Sequence, residues 1–454
     1  MWENEIRRVR KTFLTELRTL IRINTEYDGD SVSEQRPYGK NIAAGLDYIR
    51  QKALRDKFEV LEYDGRALAV VLGDQPNRVE AVSHIDVVPA EGGWTFPPYA
   101  AAVVGQKLYG RGTQDMKTQL WMTYTALRMI RGSGVPLKRQ IRMVVGTDEE
   151  RSMQDMAYYL EKAGLPDFAF TPDGQFPLCA GEKGVVVWYL DQTVPTRVRS
   201  FHAGKVSNVI CDLAVFSVSL KDYGSLQKAL ESASCEYQTE FGDEATVSVR
   251  GKAAHSSDPR SGDNAIVKAL KAIAAAYREP WATQLVRIFE DPYGAGLGLS
   301  GDYPPMGFAS VELNILTIRD GSLHGEVDVR FPSPLTPSGL TEKAREALSF
   351  FRVSGVYEEP VLQADLTNPY VRALLANYRS YFPGDTSQPY FSGGVTYSKV
   401  YRGRCVAYGA RYPFREAPGL AHQADEHVSL HHIYNSCKLY ASALVALANC
   451  EAEK

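Results

Sequence analysis

The sequence predicts an α/β fold carrying an inserted α+β segment, and three observations lead there. Strand-like apolar runs alternate with helix-period segments in the first part of the chain, the texture changes near Gly181 to successive strands and a hairpin, and a helical pattern resumes near Pro369. At 454 residues the chain exceeds what one hydrophobic core usually supports, and a 44% hydrophobic content is enough to fill two. The expected division is a discontinuous domain over residues 1–181 and 367–454, interrupted by a second over 182–366.

In chain order, Val9, Phe13, Leu17, Leu20 and Ile21 have helical spacing, so the charged N-terminal stretch is expected to be a surface helix. Residues 78–83 form a short apolar strand that ends at His84. A helix follows over 115–131, with Leu120, Tyr124, Leu127 and Ile130 on one face, and a strand over 140–145 runs into Gly146-Thr147-Asp148-Glu149-Glu150. A helix over 152–163 precedes a strand at 168–170 that enters Thr171-Pro172-Asp173. In the second part, strands are expected over 185–190 and 211–220, with helices near 225–232 and 264–277. Residues 311–318 and 325–331, separated by Arg-Asp-Gly-Ser, have the pattern of a hairpin. Helices over 369–381 and 431–448 flank the turn Ser392-Gly393-Gly394.

Charge and cysteine usage exclude several classes of function. Lys plus Arg is 51 against 54 for Asp plus Glu, so there is no net field to attract nucleic acid or an anionic membrane surface. No stretch approaches the roughly 20 consecutive apolar residues of a membrane span. The six cysteines are scattered without CxxC pairs, which favours neither a disulfide framework nor a thiolate metal site and fits a reducing cytoplasm. A small-molecule substrate is the expected partner.

Metal-type ligands recur where the apolar runs end: His84, Asp115, the pair Glu149-Glu150, Asp173 and His422. With one acid of that pair taken as a ligand, two imidazoles and three carboxylates suit a site for two divalent ions, with Zn favoured and Mn or Co as alternatives. Asp86 lies two residues beyond His84 on the same side of an extended chain, where its carboxylate can orient the imidazole or a neighbouring ligand. Of the adjacent acids Glu149 and Glu150, one can bind metal while the other faces water. Each signal has an ordinary counterpart: Asp115 could be a helix cap, Asp173 a turn residue and Glu149-Glu150 a solvated pair. His422 competes with His427, His431 and His432 nearby.

The segments SHIDVVPAEGGW, YGRGTQDMK, GTDEE, TPDGQFP, GKAAHSSDP, DVRFP and AHQADEH occur in that order. Together they resemble the M20 family of metallopeptidases, particularly its dipeptidase branch, from about residue 12 to 446. The resemblance implies a zinc-peptidase-like catalytic domain, with a central mixed sheet flanked by helices, and a lid domain over 182–366. It implies that Asp115 bridges two divalent ions, one held also by His84 and Asp173, the other by Glu150 and His422. Glu149 would be the general base and acid, Asp86 would stand behind His84, and His255 would polarise the scissile carbonyl from the lid. Arg330, Asn208 and the turn containing Gly394 and Thr396 would contact the substrate, a short peptide. The implied activity is that of a dipeptidase, with an N-acyl amino acid deacylase or desuccinylase, or a non-catalytic metal- or peptide-binding relative, as alternatives. A double-sized lid implies a monomer, with a homodimer as the alternative. Met116, Thr118, Gln175 and Val395 depart from the pattern at positions bordering the pocket, so they bear on substrate preference.

Overall fold

The computed structural model describes residues 2–451 apart from 234, 300, 413–419 and 432. The chain divides into two compact units, one of residues 1–180, 363–390 and 395–454 and the other of residues 181–362 and 391–394. The short stretch Phe391–Gly394 therefore groups with the inserted unit, although the sequence reading assigns everything from 367 onward to the first domain.

The first unit is built on a six-stranded mixed sheet, in the order Glu59–Tyr63, Ala67–Leu72, Gln140–Gly146, Arg78–His84, Phe168–Thr171 and Cys405–Ala407. The last four strands run parallel, and the first two pair antiparallel. Residues alternate in facing along each strand. Leu68, Val70, Val79, Ala81, Ile141 and Met143 enter one core with helices Trp2–Arg22, Lys117–Ser133 and Ile433–Ala448. Ala67, Ala69, Val82, Val144 and Ala169 enter another, with Met156 and Tyr159 of helix Gln154–Ala163 and with Tyr397 and Tyr401. Both faces are covered, which is why the strands inside the edge Glu59–Tyr63 are mostly apolar, with Arg78, Glu80 and Arg142 among the exceptions. This is the α/β architecture with a central mixed sheet between helices that the sequence predicts.

The second unit is an eight-stranded, wholly antiparallel sheet. Helices Leu220–Ser232, Ala265–Tyr277, Pro280–Phe289 and Pro337–Ala347 contribute to its single apolar core. The expected hairpin is present as Ser310–Arg319 and Ser322–Phe331. Its turn residues Asp320 and Gly321 both have positive φ, 50° and 75°, the conformation a two-residue hairpin requires and Asp-Gly supplies at low cost. No helix among the described residues is long and apolar enough to cross a membrane. All six cysteines are free thiols.

Candidate metal centre

Three neighbouring parallel strands deliver ligands to one edge of the first unit's sheet. His84 ends Arg78–His84, Glu149 and Glu150 follow Gln140–Gly146, and Asp173 follows Phe168–Thr171. Ligand sites form outside the carboxyl ends of such strands. Asp115 precedes helix Lys117–Ser133, and His422 reaches the site from a later loop with φ 65°, a left-handed conformation unusual for histidine. Asp425 pins that loop by accepting from the N–H and hydroxyl of Thr95 at 2.8 and 2.7 Å.

The five expected ligands come together. Nε2 of His84 lies 2.9 Å from Oδ1 of Asp115, 3.7 Å from Asp173 and 4.0 Å from Glu149. Nε2 of His422 lies 3.1 Å from the other oxygen of Asp115 and 3.0 Å from Glu150. Asp115 thus offers one oxygen to each imidazole. Donor atoms of His84, Glu149 and Asp173, and likewise of His84, Asp115 and Glu150, all fall within 4.8 Å of one another. His84 is within reach of both groups, so the donors do not separate into the two expected sets. His427 instead points Nδ1 at the Asp425 carbonyl and lies against the Tyr109 ring, and His431 sits in a turn. His432 lies outside the described residues.

Asp86 lies against the His84 imidazole and holds the neighbouring ligand Glu150. Nδ1 of His84 is 3.0 Å from the Asp86 backbone oxygen and 3.5 Å from its carboxylate. The carboxylate is turned to accept the Glu150 N–H at 3.0 Å, leaving Oδ1 buried without a hydrogen bond. A proton on Nδ1 directed at that carbonyl leaves the Nε2 lone pair facing the carboxylates, the tautomer a metal ligand needs.

Crowding of like charges sets the electrostatics. Burial, then the charges of Asp173, Glu150 and Asp115, hold the Glu149 carboxyl well above the carboxylate range against the pull of His84. Burial and Asp115 raise Glu150 while His422 opposes them. Burial works against the imidazolium of His84, but Asp115, Asp86 and Glu149 outweigh it and push its pKa well up. His422, similarly opposed by burial, is pushed to about 11 by Glu150 and Asp115. Burial would raise Asp115, yet hydrogen bonds from His422 and His84 hold it far below its ordinary value.

Two supporting acids escape a search for ligands. Glu426 is fully buried and accepts from Nη1 of Arg111 at 2.8 Å and from the N–H groups of Gly112, Gln114 and Asp115 at 3.0, 2.6 and 3.1 Å. It therefore fixes the loop that carries Asp115. Asp155, also buried, accepts from the N–H groups of Thr147 and Asp148 and from the Tyr397 hydroxyl, fixing the loop that carries Glu149 and Glu150. Gly146 stands where any side chain would collide with that hydroxyl. The sequence signals were Glu426 four residues past His422 and Asp155 at the start of a helix, both of which resemble ordinary surface acids.

In the second unit, the Ser256 N–H donates to the Asn208 carbonyl at 3.0 Å, and Val209 bridges to His255, so Asn208 and His255 lie together. Arg330 is buried, and its Nε and Nη2 edge is filled by both oxygens of Asp328 at 2.8 and 2.9 Å, while Nη1 donates to the Gly393 carbonyl at 3.2 Å. The fork expected to reach outward is thus largely engaged by the protein. The Gly394 N–H, expected to receive a carboxylate, donates to Ser392 Oγ at 2.9 Å. Thr396, in the first unit, accepts the Ser398 N–H at 3.1 Å and caps a 3-10 turn.

The sequence model of peptidase family M20/M25/M40 matches residues 82–446. A candidate dipeptidase of Staphylococcus saprophyticus is 28% identical over 98% of this chain and 99% of its own. A candidate dipeptidase of Staphylococcus aureus is 27% identical with the same coverage. The fold is shared with human carnosine dipeptidase 1, at TM-score 0.62, 15% identity and 98% coverage of both chains. It is shared also with the di-peptidase Dug1p of Saccharomyces cerevisiae, at TM-score 0.61 and 12% identity over 99% of this chain and 98% of that one. With a family match over most of its length and relatives aligned nearly end to end, the chain belongs to peptidase family M20/M25/M40 and is a hydrolase acting on peptide bonds.

Proposed function

We propose that this protein is a metal-dependent dipeptidase that hydrolyses short peptides, chiefly dipeptides, in the cytoplasm and as a monomer. The observation that carries the reading is Asp115, whose two oxygens face the separate imidazoles of His84 and His422, with Glu149 in the same cluster. The dipeptidase names of relatives aligned over their whole length support the substrate class.

The residues fit two divalent ions. His84 and His422 each direct Nε2 at carboxylate oxygens, so without cations a proton must sit on each of those contacts, and their raised pKa values express that need. Asp115, Glu150, Asp173 and the two imidazoles form a mixed nitrogen and oxygen set suited to Zn first, and to Mn or Co. Bound there, the ions would supply Lewis acidity, making a water easier to deprotonate and a peptide carbonyl more electrophilic.

Glu149 is the proton carrier. Its carboxylate takes a proton from the attacking water and, as the carboxylic acid, returns it to the leaving amine. Glu426 and Asp155 hold the two ligand loops so that this geometry is formed before substrate arrives. From the second unit, His255 donates to the carbonyl oxygen as negative charge develops on it, Asn208 binds the peptide backbone and Arg330 contributes positive charge. The turn containing Gly394 and Thr396 receives the terminal carboxylate.

The test is to assay the purified protein against free dipeptides and against N-acyl amino acids. Dipeptide turnover is expected, lost in Glu149→Ala with metal content retained; turnover of acyl amides alone, or undiminished hydrolysis by the variant, would overturn the reading.

A further inference from the structure

We infer that His255 works as a neutral hydrogen-bond donor through Nε2, in a tautomer imposed by Ser257, which is thus a positioning residue. The catalytic consequence rests on the proposed function; the tautomer rests on geometry alone. Nδ1 of His255 accepts the Ser257 backbone N–H at 3.1 Å and lies 2.7 Å from Ser257 Oγ. A backbone N–H has no acceptor form, so a proton on Nδ1 would set donor against donor. That disfavours both the Nδ1–H tautomer and the imidazolium, and the single ring proton is left on Nε2. The hydroxyl, which can rotate, donates to the same lone pair.

The backbone that makes this arrangement is held from several sides. The Ile210 N–H donates to the Ala254 carbonyl at 2.9 Å, the Ser256 N–H to Asn208 at 3.0 Å and the Asp258 N–H to the His255 carbonyl at 2.9 Å. Nδ2 of Asn314 donates to Ser256 Oγ at 2.8 Å. Gly393 closes the cluster: any side chain there would collide with Cβ of Ser257, and the Gly393 carbonyl is in turn fixed by Arg330, itself clamped by Asp328. Arg330, Gly393 and Ser257 thus form a continuous support behind the imidazole.

A neutral donor suits an oxygen that is uncharged in the substrate and becomes negative in the transition state. Its strength comes from placement rather than from a full charge that would also bind the ground state.

The experiment uses the full-length, metal-loaded protein with 15N-labelled histidine. Long-range proton–nitrogen spectra should give His255, identified by the signals missing in His255→Gln, a protonated Nε2 and an unprotonated Nδ1. The reverse pattern, or two protonated nitrogens, would overturn the inference whether or not the protein cleaves peptides. In parallel, kcat and KM are measured for His255→Gln, His255→Ala and Ser257→Ala on a dipeptide. Gln carries a neutral N–H at similar reach, so His255→Gln should keep kcat within about tenfold of the parent while His255→Ala loses about a hundredfold or more. Ser257→Ala should lower kcat several-fold with KM little changed, because one of two donors orienting the ring is gone. Equal losses in His255→Gln and His255→Ala would show that charge, not a neutral donor, is needed. An unaltered kcat in Ser257→Ala would remove its hydroxyl from the positioning role.

Discussion

Replacing Glu426 by Gln alters one atom at a carboxylate that accepts four hydrogen bonds. One oxygen of Glu426 accepts from the N–H groups of Gln114 and Asp115, and the other from Arg111 and the Gly112 N–H. In Glu426→Gln, whichever way the amide is turned, an NH2 group faces two donors that have no alternative acceptor on that side chain. Arg111, only 2% exposed, loses its carboxylate partner, and its Nε already has no hydrogen bond. Two lost hydrogen bonds to an ionised acceptor, together with an uncompensated buried cation, amount to about 3–5 kcal/mol. Since the Asp115 N–H is one of the four donors, the ligand loop should loosen as well, and metal affinity should fall about 10–100-fold. Denaturation of the metal-free variant and calorimetric metal titration read the two effects separately. Parental values in both would refute the reasoning that Glu426 organises the Asp115 loop.

Glu312, in the second unit, is 4% exposed, and burial pushes its pKa to about 7. Because the folded state holds this proton where the unfolded chain releases it, stability should decline as pH rises from about 4.5 to about 7 and then level off. Glu312→Gln, which keeps an acceptor for Asn264, should therefore be more stable than the parent by about 2–3 kcal/mol at pH 8 and equal to it at pH 4, as read by denaturant midpoints; no difference at pH 8 would contradict the assignment. Metal binding should displace protons from His84 and His422, whose pKa values are raised without cations, so apparent affinity should weaken as pH falls, by about 10–100-fold per unit. Calorimetry in buffers of different ionisation enthalpy checks this, and binding without proton release would count against it. Chelation should lower the thermal midpoint, with about 4 kcal/mol of stabilisation at stake when metal stands a thousandfold above its Kd; an unshifted midpoint would mean that the ions bind folded and unfolded chains alike.

Much of the centre is legible in the sequence because the strands that carry it are buried on both faces. Such strands are apolar at most positions, so the polar residues at or just past the end of each run, His84 or Glu149 or Asp173, stand out against it. The hairpin turn is legible for a comparable reason, since Asp320-Gly321 supplies two positive-φ residues. Helix Lys40–Arg55 has no such signature: Gly39 precedes it without a side-chain cap. Edge strand Glu59–Tyr63 has no fully buried residue and so no strong alternation to read. Phe391–Gly394 groups with the second unit, where Gly393 meets Ser257 and Arg330, positions far from it in the chain. Glu426 stays hidden because its partners lie some 310 positions away, from Arg111 to Asp115, and nothing local distinguishes a fourfold acceptor from a solvated acid. Arg330, assigned to the substrate by the resemblance alone, has its bidentate edge taken by Asp328, two residues earlier on the same strand face.

The central claim is that Asp115 is shared between two cations, and anomalous diffraction from crystals of the metal-loaded protein measures it directly. Two peaks are predicted about 3.5–4 Å apart, one beside each oxygen of Asp115, the first near His84 and the second near His422. A single peak, or a pair that leaves Asp115 uncoordinated, would contradict the account.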